Sequence, residues 1–306
     1  MKMATNLKNK QLIVIAGPTA VGKTALSISI AKSLNTEIIS ADSRQIYKEL
    51  QIGTAVPSPE ELETVKHHFI RTISIHDTYN AGKYEEDVNL LLEKLFKKYD
   101  QVVLCGGSGL YIDAVCKGID YFPEMDPAIR NKIQKQFDTE GIESLLEDLL
   151  KYDPESFNKI DLDNPKRIQK ALEISILTGK PYSSFLTSPV KKRNYRIRKI
   201  ALDLNREKLY DRINSRVIRM FETGLKEEAE KLYPLRKINA LNTVGYKELF
   251  DHFDGKISLE DAIRKIQSNT RKYARKQLTW FRKDIETRWL KDSTLEDVMK
   301  IIEETE

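Results

Sequence analysis

The stretch GPTAVGKT at positions 17–24 constrains this chain more than any other. It fits G-x-x-x-x-G-K-[ST] and follows the β-branched run LIVIA (12–16). It opens a segment, 24–34, in which Leu26, Ile30 and Leu34 recur at helical spacing. A strand, a glycine turn and a helix in that order make such a string a phosphate cradle. Gly17 and Gly22 let the backbone turn its N–H groups onto phosphate oxygens across Pro18, Thr19, Ala20 and Val21. The helix start adds positive potential there. Lys23 is expected to meet the terminal phosphate, and the Thr24 hydroxyl to hold Mg²⁺. The ligand is therefore a di- or triphosphate. The motif does not say that ATP is the substrate.

Three further apolar runs read as strands: EIIS (37–40), VVLC (102–105) and RKIALDL (198–204). Helical patterns fill 84–99, 207–231, 258–283 and, at the end, 295–306. Strands alternating with helices predict a P-loop NTPase-like α/β core, a parallel sheet with helices on both faces. Ligands of such sheets bind at the carboxyl ends of the strands. The Gly17 loop, Asp42 and the Gly106 loop all fall at that edge. From about Gly118 the texture changes: 126–185 is helical and highly charged, broken at Asp153-Pro154 and Asn164-Pro165. The expected organisation is a core of 1–117 and 200–306, interrupted by a helical insertion over 118–199.

Composition sets outer limits. Of 306 residues, 40% are apolar and 32% charged, which is a folding composition. No apolar run approaches the roughly 20 residues of a membrane span. Lys2, Lys8 and Lys10 precede an apolar run too short for a signal-peptide core, so a cytosolic protein is expected. Cys105 and Cys116 are too few for a disulfide framework or a zinc site, and Cys105 reads as a buried thiol. The net charge is +5, with Lys and Arg concentrated in a few segments, as suits a polyanionic partner. The segment 262–283 has no acidic residue, and Arg264, Arg271, Arg275 and Arg282 share one helical face. An anion-binding role is expected for it. Lys191, Lys192, Arg193, Arg196, Arg198 and Lys199 read as solvated loop charge, with contact to a tRNA backbone as the lesser alternative.

Asp42, in SADSRQIY (40–47), follows the second strand. A carboxylate beside a phosphate site can reach Mg²⁺ through water, take a proton from a nucleophile, or cap the next turn. All three readings stand on spacing alone. Gly53-Thr54-Ala55 reads as a turn closing this loop. GGSGLY (106–111) follows the third strand and again brings amides and a hydroxyl toward phosphate.

With these segments in view, the sequence closely resembles the tRNA dimethylallyltransferase (tRNA isopentenyltransferase) family of the bacterial type. The likeness runs in order through GPTAVGKT (17–24), DSRQIYKELQIGTA (42–55), His67-His68, GGSGLY (106–111), DNPKRIQKALEI (163–174), TGLKEEAEKL (223–232), TVGYKEL (243–249) and TRKYARKQLTWFR (270–282). The resemblance implies transfer of a dimethylallyl group from dimethylallyl diphosphate to N6 of adenine 37 in tRNA, with Mg²⁺ assisting diphosphate departure. It implies catalytic roles for Asp42, Ser108, Lys23 and Arg271. Ser108 stands where threonine is usual, so the hydroxyl is kept and a methyl lost. The resemblance puts tRNA contacts on Asp42, Ser43, Arg44 and Gln45, on Ser108 and Arg130, on Lys166, Arg167, Ile168, Gln169 and Lys170, and on Asn242, Thr243, Val244, Gly245, Tyr246 and Lys247. The insertion would grip the anticodon stem of a tRNA bound to a monomeric enzyme. The stretch Tyr79-Asn80-Ala81-Gly82-Lys83-Tyr84 departs from the family pattern, with Lys83 replacing an acid.

Three rivals remain at this stage. A small-molecule kinase would use the same phosphate loop but needs no basic helix and no insertion. A prenyltransferase of free adenine nucleotides would share the chemistry. A non-catalytic nucleotide switch that binds RNA would have little use for Asp42.

Overall fold

Six strands of the described residues form one parallel sheet. They are β1 (Gln11–Ala16), β2 (Ile38–Ser40), β3 (His67–His68), β4 (Gln101–Cys105), β5 (Arg196–Asp203) and β6 (Arg288–Lys291). The spatial order is β3-β2-β4-β1-β5-β6. This computed structural model describes residues 10–123, 126–187, 191–291 and 294–304. Lys2, Lys8, and Thr305 and Glu306 of the expected terminal helix lie outside the described residues.

The helices are α1 (Lys23–Ser33), α2 (Pro59–Thr64), α3 (Ala81–Leu95), α4 (Gly109–Lys117), α5 (Pro127–Tyr152), α6 (Pro154–Lys159) and α7 (Pro165–Thr178). After β5 come α8 (Arg206–Glu222), α9 (Leu225–Leu232), α10 (Tyr246–Phe253), α11 (Leu259–Phe281) and α12 (Leu295–Glu303). The chain divides into two compact units, Met1–Cys116 with Lys192–Glu306, and Lys117–Lys191.

β1 is buried along its whole length because both faces of the sheet are covered. Ile13 and Ile15 meet Ile28, Ile30 and Ala31 of α1 and Val298 and Ile302 of α12 in one core cluster. Leu12 and Val14, on the alternate face, are equally enclosed. A second cluster packs Ile46, Tyr47 and Leu50, just after Asp42, against Val217, Leu225, Tyr246, Leu249 and Ile266 of α8 to α11. The loop that carries Asp42 thus has its own apolar foundation. The helical unit has a separate core of Ile133, Leu145, Leu149, Ile168, Ala171 and Leu172.

Two expectations are corrected. The segment 207–231 is two helices, because Gly224 adopts a left-handed φ of 102° and starts α9 anew. Cys105 is half-buried rather than fully buried, though burial still pushes its thiol up. β6 was not anticipated, and the His67-His68 pair turns out to be an edge strand. His68 Nε2 lies 2.5 Å from the Glu37 carboxylate.

Candidate active site

Parallel register brings three loops to one edge. Ile15 of β1 and Ser40 of β2 both align with Cys105 of β4. The loops that follow are stitched together at once. Gly106 N–H donates to Ile15 O at 3.1 Å, Ala41 N–H to Cys105 O at 2.7 Å, and Ser108 N–H to Ala41 O at 3.1 Å.

In the first loop Gly17 has a φ of +141°, and a Cβ there would stand 2.8 Å from Leu202 O, so only glycine fits. Lys23 Nζ donates to Gly17 O at 3.0 Å and Pro18 O at 2.7 Å, folded back over its own loop. Burial pushes its pKa down to about 8; Arg216 adds to this and Asp42 opposes it. A phosphate would supply the negative charge that the buried ammonium lacks.

Three residues outside the expected set hold this loop. Gln277 of α11 accepts from Thr19 N–H at 2.9 Å and donates to Gly107 O at 2.9 Å, bridging the first and third loops. Arg216 of α8 donates to Thr19 Oγ1 at 3.2 Å, and Arg212 to Val21 O at 3.2 Å. Burial lowers the Arg216 pKa, so its charge too is poorly compensated. The signal was present as an i, i+4 arginine pair in RINSR (212–216) within the helical segment 207–231. Gln277 lay within the TRKYARKQLTWFR motif (270–282), but no role was assigned to it.

In the second loop Asp42 Oδ1 accepts from Arg44 N–H at 2.8 Å and Gln45 N–H at 3.2 Å. The capping role is therefore real, but it uses one oxygen. Oδ2 makes no hydrogen bond among the described residues and remains available. Ser108, 9% exposed, accepts from Ser43 N–H at 2.9 Å and donates to Ser43 Oγ at 3.2 Å. The three loops thus bring a cation, a carboxylate and a hydroxyl, those of Lys23, Asp42 and Ser108, to one edge of the sheet.

Comparison with known proteins decides the family. The model of the IPP transferase family matches residues 45–284. The chain is 52% identical to the tRNA dimethylallyltransferase of Christiangramia forsetii over 95% of its length and 97% of that protein's. It is 49% identical to tRNA dimethylallyltransferase 1 of Bacteroides fragilis, over 96% and 98%. The chain belongs to the tRNA dimethylallyltransferase family. Among solved structures, the full-length tRNA isopentenylpyrophosphate transferase of Bacillus halodurans is similar at 36% identity and a TM-score of 0.69, covering 96% of this chain and 94% of that one. A eukaryotic dimethylallyltransferase acting on tRNA is similar at 26% identity and a TM-score of 0.75, covering 94% and 75%.

The remaining residues singled out for the tRNA dimethylallyltransferase resemblance are in varied surroundings. Arg271 donates to Asn214 Oδ1 at 2.6 Å, and its guanidinium lies 5.8 Å over the Tyr210 ring. It does not share its helix face's neutralised fate: Arg264 pairs with Glu260 and Asp261 and Arg282 with Asp203. The acid-free stretch is therefore neutralised at both ends by acids outside it, which corrects the reading of the whole face as anion-binding. Arg44 donates to Ala240 O at 3.2 Å, and Gln45 Nε2 to Thr54 O and Ala55 O at 3.1 and 2.9 Å. Gly245 N–H donates to the buried Glu248 carboxylate at 2.8 Å. In the helical unit Lys166 and Arg167 are exposed, Arg130 pairs with Glu173 at 3.0 Å, and Gln169 donates to Gln134 Oε1 at 3.2 Å. The Lys170 ammonium lies 5.2 Å over the Phe122 ring. Ile168 and Tyr246 are both 0% exposed, so their side chains are core and present nothing to a ligand. Lys83 pairs with Glu86 and Asp87 on the first turn of α3, which accounts for its tolerance there.

A divalent cation suits the oxygen groups present. The Thr24 hydroxyl makes no side-chain hydrogen bond among the described residues, and neither does Asp42 Oδ2. No cluster of three His, Cys, Asp or Glu exists among the described residues. A hard ion held by one or two protein oxygens, substrate phosphates and water fits that pattern. No described helix is long and apolar enough to cross a membrane.

Proposed function

We propose that this protein transfers a dimethylallyl group from dimethylallyl diphosphate to N6 of adenine 37 in tRNA. The observation that carries the reading is the meeting of Lys23, Asp42 and Ser108 at one sheet edge in a chain of this family. The diphosphate sits on the 17–24 loop, with Lys23 and Arg216 on its oxygens. Adenine leaves its stack to enter the site, as enzymes acting on a base commonly require. The N6 lone pair attacks the allylic carbon; the C–N bond forms as the C–O bond breaks, and diphosphate leaves with the bonding electrons. Asp42 Oδ2 takes the N6 proton while Oδ1 stays committed to the turn. The Ser108 hydroxyl turns from Ser43 to donate to the oxygen that joins prenyl carbon and phosphorus. Mg²⁺ held by Thr24 would neutralise charge on the leaving diphosphate when bound. Lys166, Arg167 and Lys170 supply backbone phosphate contacts from the helical unit.

Radiolabelled dimethylallyl diphosphate offered with bulk tRNA, or with AMP, tests this directly. Label on the tRNA adenine is expected. Label on AMP alone, or transfer of a γ-phosphoryl group from ATP instead, would overturn it.

A further inference from the structure

The α9 carboxylate of Glu228 serves a loop 175 to 177 residues away in the chain. Its Oε2 accepts from Gln51 N–H at 3.1 Å and Ile52 N–H at 2.8 Å; its Oε1 accepts from Gly53 N–H at 2.9 Å and from the Tyr246 hydroxyl at 2.6 Å. Four donors converge on two oxygens, and none of the four is a cation. The three amides belong to consecutive residues, so they form a concave nest that only an anion fills well. Tyr246 is fully buried, and burial beside Glu228 raises its pKa, so it stays a donor.

What this nest holds matters more than the nest itself. Immediately after Gly53, the carbonyls of Thr54 and Ala55 accept both N–H bonds of the Gln45 side chain. Gln45 N–H in turn donates to Asp42 Oδ1. Hydrogen bonds joined by short stretches of covalent backbone therefore link Glu228, through residues 51–55 and Gln45, to the Asp42 carboxylate. The links from Ile52 and Gly53 to Glu228, from Gln45 to Thr54 and Ala55, and from Gln45 to Asp42 are partly shielded from water, while that from Gln51 is exposed. The Thr54 hydroxyl, bonded to Leu50 O at 2.9 Å, closes the turn on itself.

We infer that Glu228 is a positioning residue for prenyl transfer, acting through the 51–55 turn to fix Gln45 and aim Asp42. The inference rests on the proposed function for its kinetic readout but not for its structural one. Glu228→Gln keeps size, yet replaces one acceptor by an NH₂ group that faces amide or phenol donors. Glu228→Asp keeps charge but draws the carboxylate back by one methylene.

Two measurements on the full chain test this. Hydrogen exchange in Glu228→Gln should accelerate at the amides of residues 51–53 and also at Arg44 and Gln45, with β1 amides unchanged. Single-turnover transfer to tRNA at saturating donor should fall on the order of tenfold to a hundredfold, the scale expected for a misaimed catalytic group. Donor affinity, measured with radiolabelled dimethylallyl diphosphate, should hold. Glu228→Asp should recover part of the rate and of the protection. Protection at Arg44 and Gln45 that survives in Glu228→Gln would overturn the coupling whether or not the chain proves to act on tRNA. So would a loss of donor affinity equal to the loss of rate, which is the mark of a general structural defect. A wild-type chain that fails to label tRNA would sink the proposed function and leave the exchange experiment to decide the coupling.

Discussion

At the scale of single residues the site separates jobs within one side chain. Asp42 caps its turn with Oδ1, and in the proposed reaction Oδ2 is the base. Asp42→Asn retains a carbonyl oxygen for the cap, so the turn and its roughly 1 kcal/mol persist. The base is lost, and general-base assistance is worth about 10²–10⁴ in rate. Single-turnover transfer should fall by that factor with donor and tRNA affinity little changed. Near wild-type transfer would return Asp42 to a purely structural role. Lys23 gives a prediction in pH. Its pKa is pushed down to about 8, chiefly by burial, from an ordinary 10.5. Above pH 8 the free enzyme loses this charge, whereas a bound diphosphate favours the protonated form. Donor binding should therefore take up a proton between pH 8 and 10.5 and weaken as pH rises through that window. Calorimetry at pH 8.5–9 in buffers of different ionisation enthalpy reads the proton directly. Lys23→Arg should abolish the buffer dependence. The sign for folding is the reverse: the unfolded chain binds more protons than the native one across this window, so this residue's contribution to stability improves as pH rises.

At the scale of elements, strand and helix were legible wherever one rule acted alone. β1 and β4 are aliphatic runs buried on both faces, β5 is buried from Arg198 to Leu202, and α1 opens on the glycine loop that defines it. β6 escaped because Arg288 and Lys291 flank only two half-buried residues, and pairing with β5 rather than pattern makes it a strand. The break between α8 and α9 turned on one backbone dihedral at Gly224. In the site, Lys23, Asp42 and Ser108 were legible because motif and strand order put them at one edge. Gln277 was not, since its role exists only once α11 lies across two loops. Tyr246 and Ile168 mark the opposite error: a motif can name a position whose side chain is core. The element α7 carries a prediction about nucleic acid. Lys166 and Arg167 are exposed on its first turn, and among the described residues Arg167 forms an ion pair only with exposed Asp161, at 4.0 Å. tRNA affinity should fall steeply with salt, and Lys166→Ala or Arg167→Ala should reduce the log–log slope by about one unit for each lost phosphate contact. Unchanged slopes in both variants would remove α7 from the backbone-contact surface.

At the scale of the molecule, the two compact units have cores of their own, and the proposed chemistry divides along the same line. In the proposed reaction, donor binding and catalysis would use residues of Met1–Cys116 and Lys192–Glu306, and the phosphate contacts of α7 would come from Lys117–Lys191. If the units are energetically separable, damage to one core should be felt in one function. Leu149 is fully buried in the helical unit's core with Leu145, Ile168 and Leu172. Leu149→Ala removes three heavy atoms from that core and should cost about 2–5 kcal/mol, since such sites collapse only partly. The cost should appear as faster amide exchange throughout α5 and α7, with β1 and β4 amides as protected as before. Affinity for dimethylallyl diphosphate should then be unchanged, while tRNA affinity drops and transfer at saturating tRNA recovers. A chain folding as one cooperative body would behave differently: β1 amides would lose the same protection, and donor affinity would decline in step with tRNA affinity at temperatures near the transition. Exchange and the two affinities, measured on the same preparation, separate these outcomes without reference to any activity assay.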